Sequence, residues 1–288
     1  MNKRGGKLRL PIFVALLVLV IGYFGIGSVN AAGLLLWTQV SNPSGLTDTA
    51  IDVAVAPSGV YTVGYDMVGG NSRWRIERRS LVTGALLAAP VAINPSGGSD
   101  IAYAVAVDGT GVYVAGYDSV GGNPRWRIEK RTLLGLAPIW TVASNPSVGN
   151  DMVYDIAVSP NGVYIVGYDS LGGNARWRIE RRSLVNGALL AAPVAINPSG
   201  GSDIAFGVAV GATGIYVVGV DRAVGNNGWR IEKRTLLGLA PILPVVVVNP
   251  SGGDDGAKSV AVDVTGIYTV GYDQVLGNLG WRMEKRTP

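Results

Sequence analysis

The sequence predicts an all-β protein, a five-bladed β-propeller of four-stranded blades, on the strength of three observations. First, the 288-residue chain contains five copies of a unit of about 52 residues. Second, each unit holds four short runs rich in Val, Ile, Tyr and Trp, separated by Gly, Asn, Asp and Pro, as is typical of strands and tight turns. Third, four strands in a unit of this length match one propeller blade.

The repeat is visible in three sets of equivalent residues, each with spacings of 52, 51, 52 and 52. A tryptophan opens the third predicted strand of every unit: Trp74, Trp126, Trp177, Trp229 and Trp281. An aspartate ends the second predicted strand: Asp66, Asp118, Asp169, Asp221 and Asp273. An Asn-Pro-Ser triplet follows the fourth predicted strand and begins at positions 42, 94, 145, 197 and 249. Such regular self-similarity indicates stacked supersecondary units.

The third strand of each unit carries both the tryptophan and most of the charge. In the second unit, period-two alternation places Trp126 and Ile128 on one face of the strand. It places Arg127, Glu129 and Arg131 on the opposite face. We therefore expect Trp and Ile to fill the core between units. The three charged residues should form a self-neutralising ladder, because buried charges are tolerated only when paired.

The two ends of the repeat predict how the ring closes. Residues 33–44 align with the fourth strand of a unit, as at 138–147, and the last unit stops after its third strand. We expect the N-terminal segment to supply the outer strand of the fifth blade, which would close the ring without a free sheet edge. An open array of stacked units is the alternative, since such units contact only their neighbours.

The first 32 residues form a separate predicted segment, followed by the propeller at 33–288. Basic residues precede an uncharged apolar run at 10–27, and small residues surround Ala31. This is the pattern of a secretory signal peptide, and the run is also long enough to be an uncleaved N-terminal membrane helix. Either outcome places 33–288 outside the cytoplasm, either secreted or at the cell surface, with membrane contact only through 10–27.

Charge and composition exclude several classes of function. Without the four basic residues at positions 3, 4, 7 and 9, the chain has 20 basic and 20 acidic residues, so it lacks the cation surplus that nucleic acid binding requires. It has no His and no Cys, which excludes His-based acid–base catalysis, thiol nucleophiles and thiolate metal sites. We therefore expect a non-enzymatic protein with no cofactor and no metal site. A glycoside hydrolase, which needs only a carboxylate pair, is the enzymatic alternative.

Polar residues in the loops between strands two and three are the candidate ligand-binding residues. In an up-and-down blade these loops share one face with the loops that connect successive units. The candidates are Asp66, Asp118, Asp169, Asp221 and Asp273, together with Asn71, Asn123, Asn174, Asn226 and Asn278. Rings of Asp and Asn can hydrogen-bond sugar hydroxyls or hold calcium. Alternatively, these residues build turns by accepting local backbone hydrogen bonds.

The first half of each unit resembles a known repeat. DIAYAVAVDGTGVYVAGYD at 100–118 and DMVYDIAVSPNGVYIVGYD at 151–169 resemble the bacterial extracellular β-propeller repeats of the SBBP type. The resemblance recurs over nearly all of 45–288. It implies a propeller and an exported protein, and it implies no defined reaction.

These observations favour a monomeric, exported binding module. Residues 81–107 and 184–210 agree at 24 of 27 positions, and we expect a single asymmetric active site to break such symmetry. Five near-equal sites would suit multivalent glycan binding. A protein–protein interaction scaffold is the alternative function.

Overall fold

The computed structural model describes residues 34–222 and 225–288, which form five antiparallel β-sheets. This confirms the all-β class and the five-fold repeat. The predicted signal or anchor helix at 1–32 lies outside the described residues. Within the described part of the chain, no helix is both long and apolar enough to cross a membrane.

Each sheet is a meander in which strands that follow one another in sequence pair side by side. Sheet one comprises β1 (Thr49–Ala56), β2 (Gly59–Val68), β3 (Asn71–Arg79) and β4 (Val91–Ile93). Sheet two comprises β5 (Ile101–Asp108), β6 (Gly111–Asp118), β7 (Arg125–Arg131) and β8 (Pro138–Ser144). Sheet three comprises β9 (Met152–Ser159), β10 (Gly162–Asp169), β11 (Arg176–Arg182) and β12 (Val194–Ile196), with a 3-10 turn at Leu171–Gly173.

The remaining two sheets differ in strand number. Sheet four comprises β13 (Ile204–Gly211), β14 (Gly214–Asp221), β15 (Gly228–Arg234) and β16 (Pro241–Val248). Sheet five has three strands, β17 (Gly256–Val262), β18 (Ile267–Val275) and β19 (Asn278–Arg286). The order of the sheets and their four-stranded meanders are propeller-like.

Successive sheets are held together by four hydrophobic cores, one between each pair of neighbours. In the core between sheets one and two, Trp74 and Ile76 of β3 pack with Val112 and Val114 of β6. All four side chains are fully buried. The predicted placement of Trp and Ile in the core between units is therefore confirmed, and burial of these large apolar side chains is a main source of stability.

The charge ladder predicted for the third strand is also confirmed. Glu129 accepts hydrogen bonds from Arg127 Nη2 at 2.5 Å and from Arg131 Nε at 2.7 Å. The Arg127 guanidinium also lies 5.7 Å from the centre of the Trp74 ring in the preceding sheet. The third strands of sheets one to four thus present a tryptophan to the next sheet, and those of sheets two to five place a paired arginine on the tryptophan of the sheet before.

The predicted pairing of the N-terminal segment with β19 is not formed in this structure. The segment 37–41 has no strand assignment and lies against sheet one instead. Trp37 Nε1 donates to the carbonyl oxygen of Leu81 at 3.2 Å, much as Trp140 Nε1 of β8 donates to that of Leu184 at 3.3 Å. The segment therefore takes the position of an outer strand in front of sheet one, because sheet one satisfies its indole nitrogen. The opposite end, sheet five, exposes Trp281 completely.

Candidate functional site

The predicted aspartates lie on the loop face, but arginine side chains cover their carboxylates. Asp118 is 0 % exposed, and its two oxygens accept hydrogen bonds from Arg125 Nε at 2.6 Å and Arg127 Nη1 at 3.3 Å. Such pairing is what makes a buried carboxylate tolerable. The side chain of Asp273 is 17 % exposed and pairs with Arg282. Equivalent ion pairs hold Asp66, Asp169 and Asp221. Each of these ion pairs joins an aspartate to an arginine of its own hairpin.

The predicted asparagines lie at the surface of the same face. Asn123 Nδ2 donates to the carbonyl oxygen of Val148 at 2.9 Å, which ties the β6–β7 hairpin to the connection between sheets two and three. The same bond is made by Asn71, Asn174 and Asn226. Asn278 is exposed at the β18–β19 turn. The predicted sharing of one face by the two kinds of loop is therefore confirmed, and the asparagines are accessible to solvent.

A second set of aspartates, which precede the first strands, builds turns. Asp100 Oδ1 accepts hydrogen bonds from Ser96 Oγ at 2.5 Å and from the backbone nitrogen of Ser119 at 3.0 Å. The carboxylates of Asp151, Asp203 and Asp255 make equivalent bonds. Among residues 34–222 and 225–288, no group of three carboxylates is arranged to hold a metal ion. Turn building, one of the two interpretations of the acidic residues, accounts for this set.

A different site lies where the first strands of all five sheets meet. These strands surround a cavity of about 180 Å³. Every first strand contributes to its lining, and the five residues at equivalent positions are Ile51, Tyr103, Tyr154, Phe206 and Lys258. We call this cavity the axial pocket. A ligand in this pocket would contact all five sheets that the described residues form.

A β-bulge directs each of these five residues into the axial pocket. In β5, Ala102 pairs with Gly116 and Ala104 pairs with Ala115, so Tyr103 is left without a partner across the ladder. The other first strands skip the equivalent residue. At the bulge the first and second strands lie so close that only glycine fits on the second strand. A Cβ on Gly116 would lie 2.0 Å from the carbonyl oxygen of Ile101. Bulges of this kind commonly re-aim a side chain toward a functional site.

Aromatic rings form a continuous arc around the pocket. The ring centres of Tyr103 and Tyr154 are 5.7 Å apart, and those of Tyr154 and Phe206 are 5.0 Å apart. Tyr117 and Tyr168, from the second strands, extend the arc behind Tyr103 and Tyr154. These spacings are within the range of favourable tilted aromatic contacts. Three of these rings, Tyr103, Tyr154 and Phe206, line the pocket itself.

The hydroxyl groups of these tyrosines have no hydrogen-bond partner in the described part of the chain. This contrasts with tyrosines at the opposite ends of the second strands, since Tyr61 and Tyr164 donate to the carbonyl oxygens of Leu133 and Leu236. Burial raises the pKa of Tyr117 to about 12 and also raises the pKa of Tyr154. The phenols thus stay protonated and can both donate and accept hydrogen bonds.

Lys258 and two carboxylates complete the lining. Lys258 is exposed to solvent, and its ammonium lies 3.5 Å from the centre of the Phe206 ring. Asp52 and Asp155 accept hydrogen bonds of 2.8 Å from the backbone nitrogens of Val105 and Val208 in the following sheets. Burial raises the pKa of Asp155 to about 7. Both carboxylates therefore stabilise contacts between first strands. The contacts of the ammonium within the described part of the chain are with aromatic rings.

Sequence differences between two repeats lie at this pocket, and they argue against five equal sites. Of the three differences between residues 81–107 and 184–210, two are Tyr103/Phe206 and Ala104/Gly207. Both fall at the β-bulge of a first strand. Two otherwise nearly identical segments therefore differ at the residues that line the axial pocket. Recognising this required knowing that the first strand carries a bulge, which period-two alternation does not reveal.

No known family model matches the sequence, and no curated protein matches it. Among solved structures, a quinohemoprotein alcohol dehydrogenase from Pseudomonas putida HK5 is 13% identical with a TM-score of 0.48, over 82% of this chain and 42% of that one. A GH32 beta-fructofuranosidase from Bombyx mori is 10% identical with a TM-score of 0.45, over 82% and 59%. A mutant of that enzyme in complex with sucrose is 13% identical with a TM-score of 0.43. The chain thus spans about half the length of these proteins.

Proposed function

We propose that the chain is a non-enzymatic, five-bladed β-propeller that acts outside the cytoplasm as a carbohydrate-binding module. The observation that carries this proposal is the axial pocket, a mostly polar cavity lined by Tyr103 and Tyr154, whose hydroxyls have no partner among the described residues. Sugars present both hydroxyl groups and apolar ring faces, and sites of this kind combine a few placed polar groups with aromatic walls. The buried state of the loop aspartates favours this single pocket over five equal sites.

The closed ring is part of the proposal. Each of the four buried interfaces has a tryptophan donating to a carbonyl of the next sheet, and the fifth tryptophan, Trp281, is exposed. Sheet five would complete the pattern by packing on sheet one, with the segment 37–41 as its outer strand. Ile51 and Lys258 already line one cavity, so the two ends are near each other. Tethering within one chain favours their association.

Ring closure can be tested with an engineered disulfide, since the chain has no cysteine. Alignment of 35–44 with 138–147 places Gln39 opposite Met283, as Val142 is opposite Ile128 in sheet two. Opposite residues of neighbouring strands are close enough for a disulfide. We expect the Gln39→Cys/Met283→Cys variant to form an intramolecular disulfide, as the control Ile128→Cys/Val142→Cys does. A control that oxidises while the first variant stays reduced would contradict closure.

The carboxylates support a non-enzymatic role, because the described structure gives each of them a structural partner. The third-strand glutamates and loop aspartates pair with arginines, and Asp100 and its equivalents bind serines. Asp108 and Asp263 each hold a threonine turn. Glycoside hydrolysis requires an acid and a second carboxylate facing the scissile bond. Turnover of a glycoside that disappears on loss of one carboxylate would contradict this part of the proposal.

The test of carbohydrate binding is a glycan array probed with the purified, folded protein, followed by calorimetry on the best ligand. We expect binding with one site per chain. A stoichiometry approaching five would favour the loop grooves with their exposed asparagines. A blank array together with capture of one protein partner would favour the alternative function, an interaction scaffold.

The location outside the cytoplasm rests on the N-terminal sequence pattern. Expression in a bacterial host with fractionation and mass spectrometry tests it. We expect either a mature chain that begins near Ala32 or an intact chain in the membrane fraction. An intact chain in the cytosol would contradict export.

A further inference from the structure

The charge of Lys258 has no counter-ion in the described structure. It is the single lysine in the five first strands, and it stands where the other strands have Ile51, Tyr103, Tyr154 and Phe206. No carboxylate lies within ion-pairing distance of its Nζ among the described residues. The carboxylates of the two nearby acids have other hydrogen-bond partners, since Asp52 and Asp155 each accept two backbone hydrogen bonds. A cation in this position can attract an anionic group on a ligand.

The groups around Lys258 add hydrogen-bond donors. Tyr272 lies close to it, with the ammonium 5.6 Å from the ring centre, and Phe206 lies on its other side. Burial keeps the pKa of Tyr272 above its ordinary value, so this phenol carries a proton to donate. An ammonium among protonated phenols is suited to anionic oxygen, because hydrogen bonds to charged acceptors are the strong ones.

The size and walls of the axial pocket narrow the ligand further. Its volume of about 180 Å³ is below the range of about 300–1,000 Å³ for drug-sized ligands. It therefore admits a unit of roughly one six-membered ring. Most of the surface that lines the pocket is polar, and the phenols of Tyr103 and Tyr154 suit the hydroxyl groups of such a ring.

We propose that the axial pocket binds a carboxylate-bearing sugar unit, a uronate, with Lys258 holding the carboxylate and the tyrosine hydroxyls holding the ring hydroxyls. This inference rests on the proposed carbohydrate-binding function and names its ligand class. A free uronate and the end of an acidic polysaccharide present the same chemistry. Binding of single uronates and of uronate-terminated oligosaccharides, measured in parallel, distinguishes these two sources.

The experiment is calorimetric titration of the full-length protein with glucuronate, galacturonate and their methyl esters. The ester removes the charge and keeps the sugar. We expect the acid to bind at least about tenfold more tightly than its ester, which corresponds to about 1.4 kcal/mol. The Lys258→Gln variant should lose this difference, whereas Lys233→Gln should keep it. Lys233 is a matched control, since its ammonium lies 5.5 Å from the Tyr216 ring and outside the pocket.

A second pair of variants tests the hydroxyl groups. Tyr154→Phe removes a phenol from the pocket and retains the ring, and we expect it to weaken binding of both acid and ester. Tyr216→Phe removes a phenol from a buried tyrosine outside the pocket and should leave binding unchanged. Circular dichroism and thermal unfolding confirm that each variant is folded before titration.

Three results would overturn the proposal. One is equal affinity for acid and ester, and another is unchanged acid binding by a folded Lys258→Gln variant. The third is no saturable binding of either uronate by the folded wild-type protein. If inorganic phosphate competes as well as the uronate does, the sugar part of the assignment is wrong. If the array shows binding of neutral glycans and the protein binds no uronate, only this inference is wrong. If the array shows no binding at all, the proposed carbohydrate-binding function is wrong too.

Discussion

The indole nitrogen of Trp74 donates a 2.8 Å hydrogen bond to the main-chain carbonyl oxygen of Tyr117, which joins sheet one to sheet two. The same bond joins Trp177 to the carbonyl of Val220. Because the acceptor belongs to the main chain, a valine in place of tyrosine leaves this contact intact. The repeat can therefore vary its side chains facing the axis while it keeps the joints between sheets.

Truncating these tryptophans should show which interfaces exist in solution. We expect Trp177→Ala to lower the free energy of unfolding by about 3–5 kcal/mol, since it removes a fully buried aromatic side chain. If the ring closes as proposed, Trp281→Ala should have a comparable effect. Urea unfolding followed by circular dichroism measures both. A destabilised Trp177→Ala beside an unchanged Trp281→Ala would indicate an open ring.

The buried loop aspartates should govern stability and not ligand binding. We expect Asp118→Asn to destabilise the fold by about 3–5 kcal/mol, because Arg125 and Arg127 lose a buried counter-ion. Asn123→Ala, on the exposed side of the same loop, should change stability by no more than about 0.5 kcal/mol. Denaturant unfolding provides the comparison. A stable Asp118→Asn variant that no longer binds carbohydrate would instead make the aspartate ring a ligand site.

Asp155 should make stability fall as the pH rises. Burial raises its pKa to about 7, so between about pH 4 and pH 7 the folded chain keeps a proton that the unfolded chain has released. The free energy of unfolding contributed by this group is therefore fully present below the unfolded pKa and is lost as the pH rises through the folded value. Unfolding at a series of pH values should show this decline, and Asp155→Asn should reduce its slope. A slope that this substitution leaves unchanged would contradict the assignment.

Removal of calcium should affect neither folding nor carbohydrate binding. The predicted aspartates are held by arginines, and no metal-binding group of three carboxylates occurs among the described residues. We therefore expect equal Tm values and equal glycan-array signals with calcium and with a chelator. A chelator-dependent fall in Tm or loss of signal would show that an aspartate ring holds the ion after all.

Much of the fold was predictable because it repeats. The five-fold recurrence of Trp126 and its equivalents placed the third strands, and alternation within them predicted the core face and the charge ladder. The candidate site was less predictable. Asp118 was predicted as a ligand-binding residue in a loop. The arginines that cover its carboxylate are seven and nine residues further along the chain, and the pairing of β6 with β7 places them beside it.

Local periodicity in the sequence is sufficient to assign the number of units and the strands within each unit. It also predicts the pairing of charges along the third strand, since those side chains are close together in the chain. Only the tertiary structure shows which side chains lie together at the axis. Ile51, Tyr103, Tyr154, Phe206 and Lys258 are about one unit apart in sequence, and bulges in five separate strands bring them to one cavity. The position of the N-terminal segment is a second such outcome. Trp37 donates a hydrogen bond to sheet one, and β19 pairs with no further strand among the described residues. Both outcomes depend on packing between sheets, which no local pattern encodes.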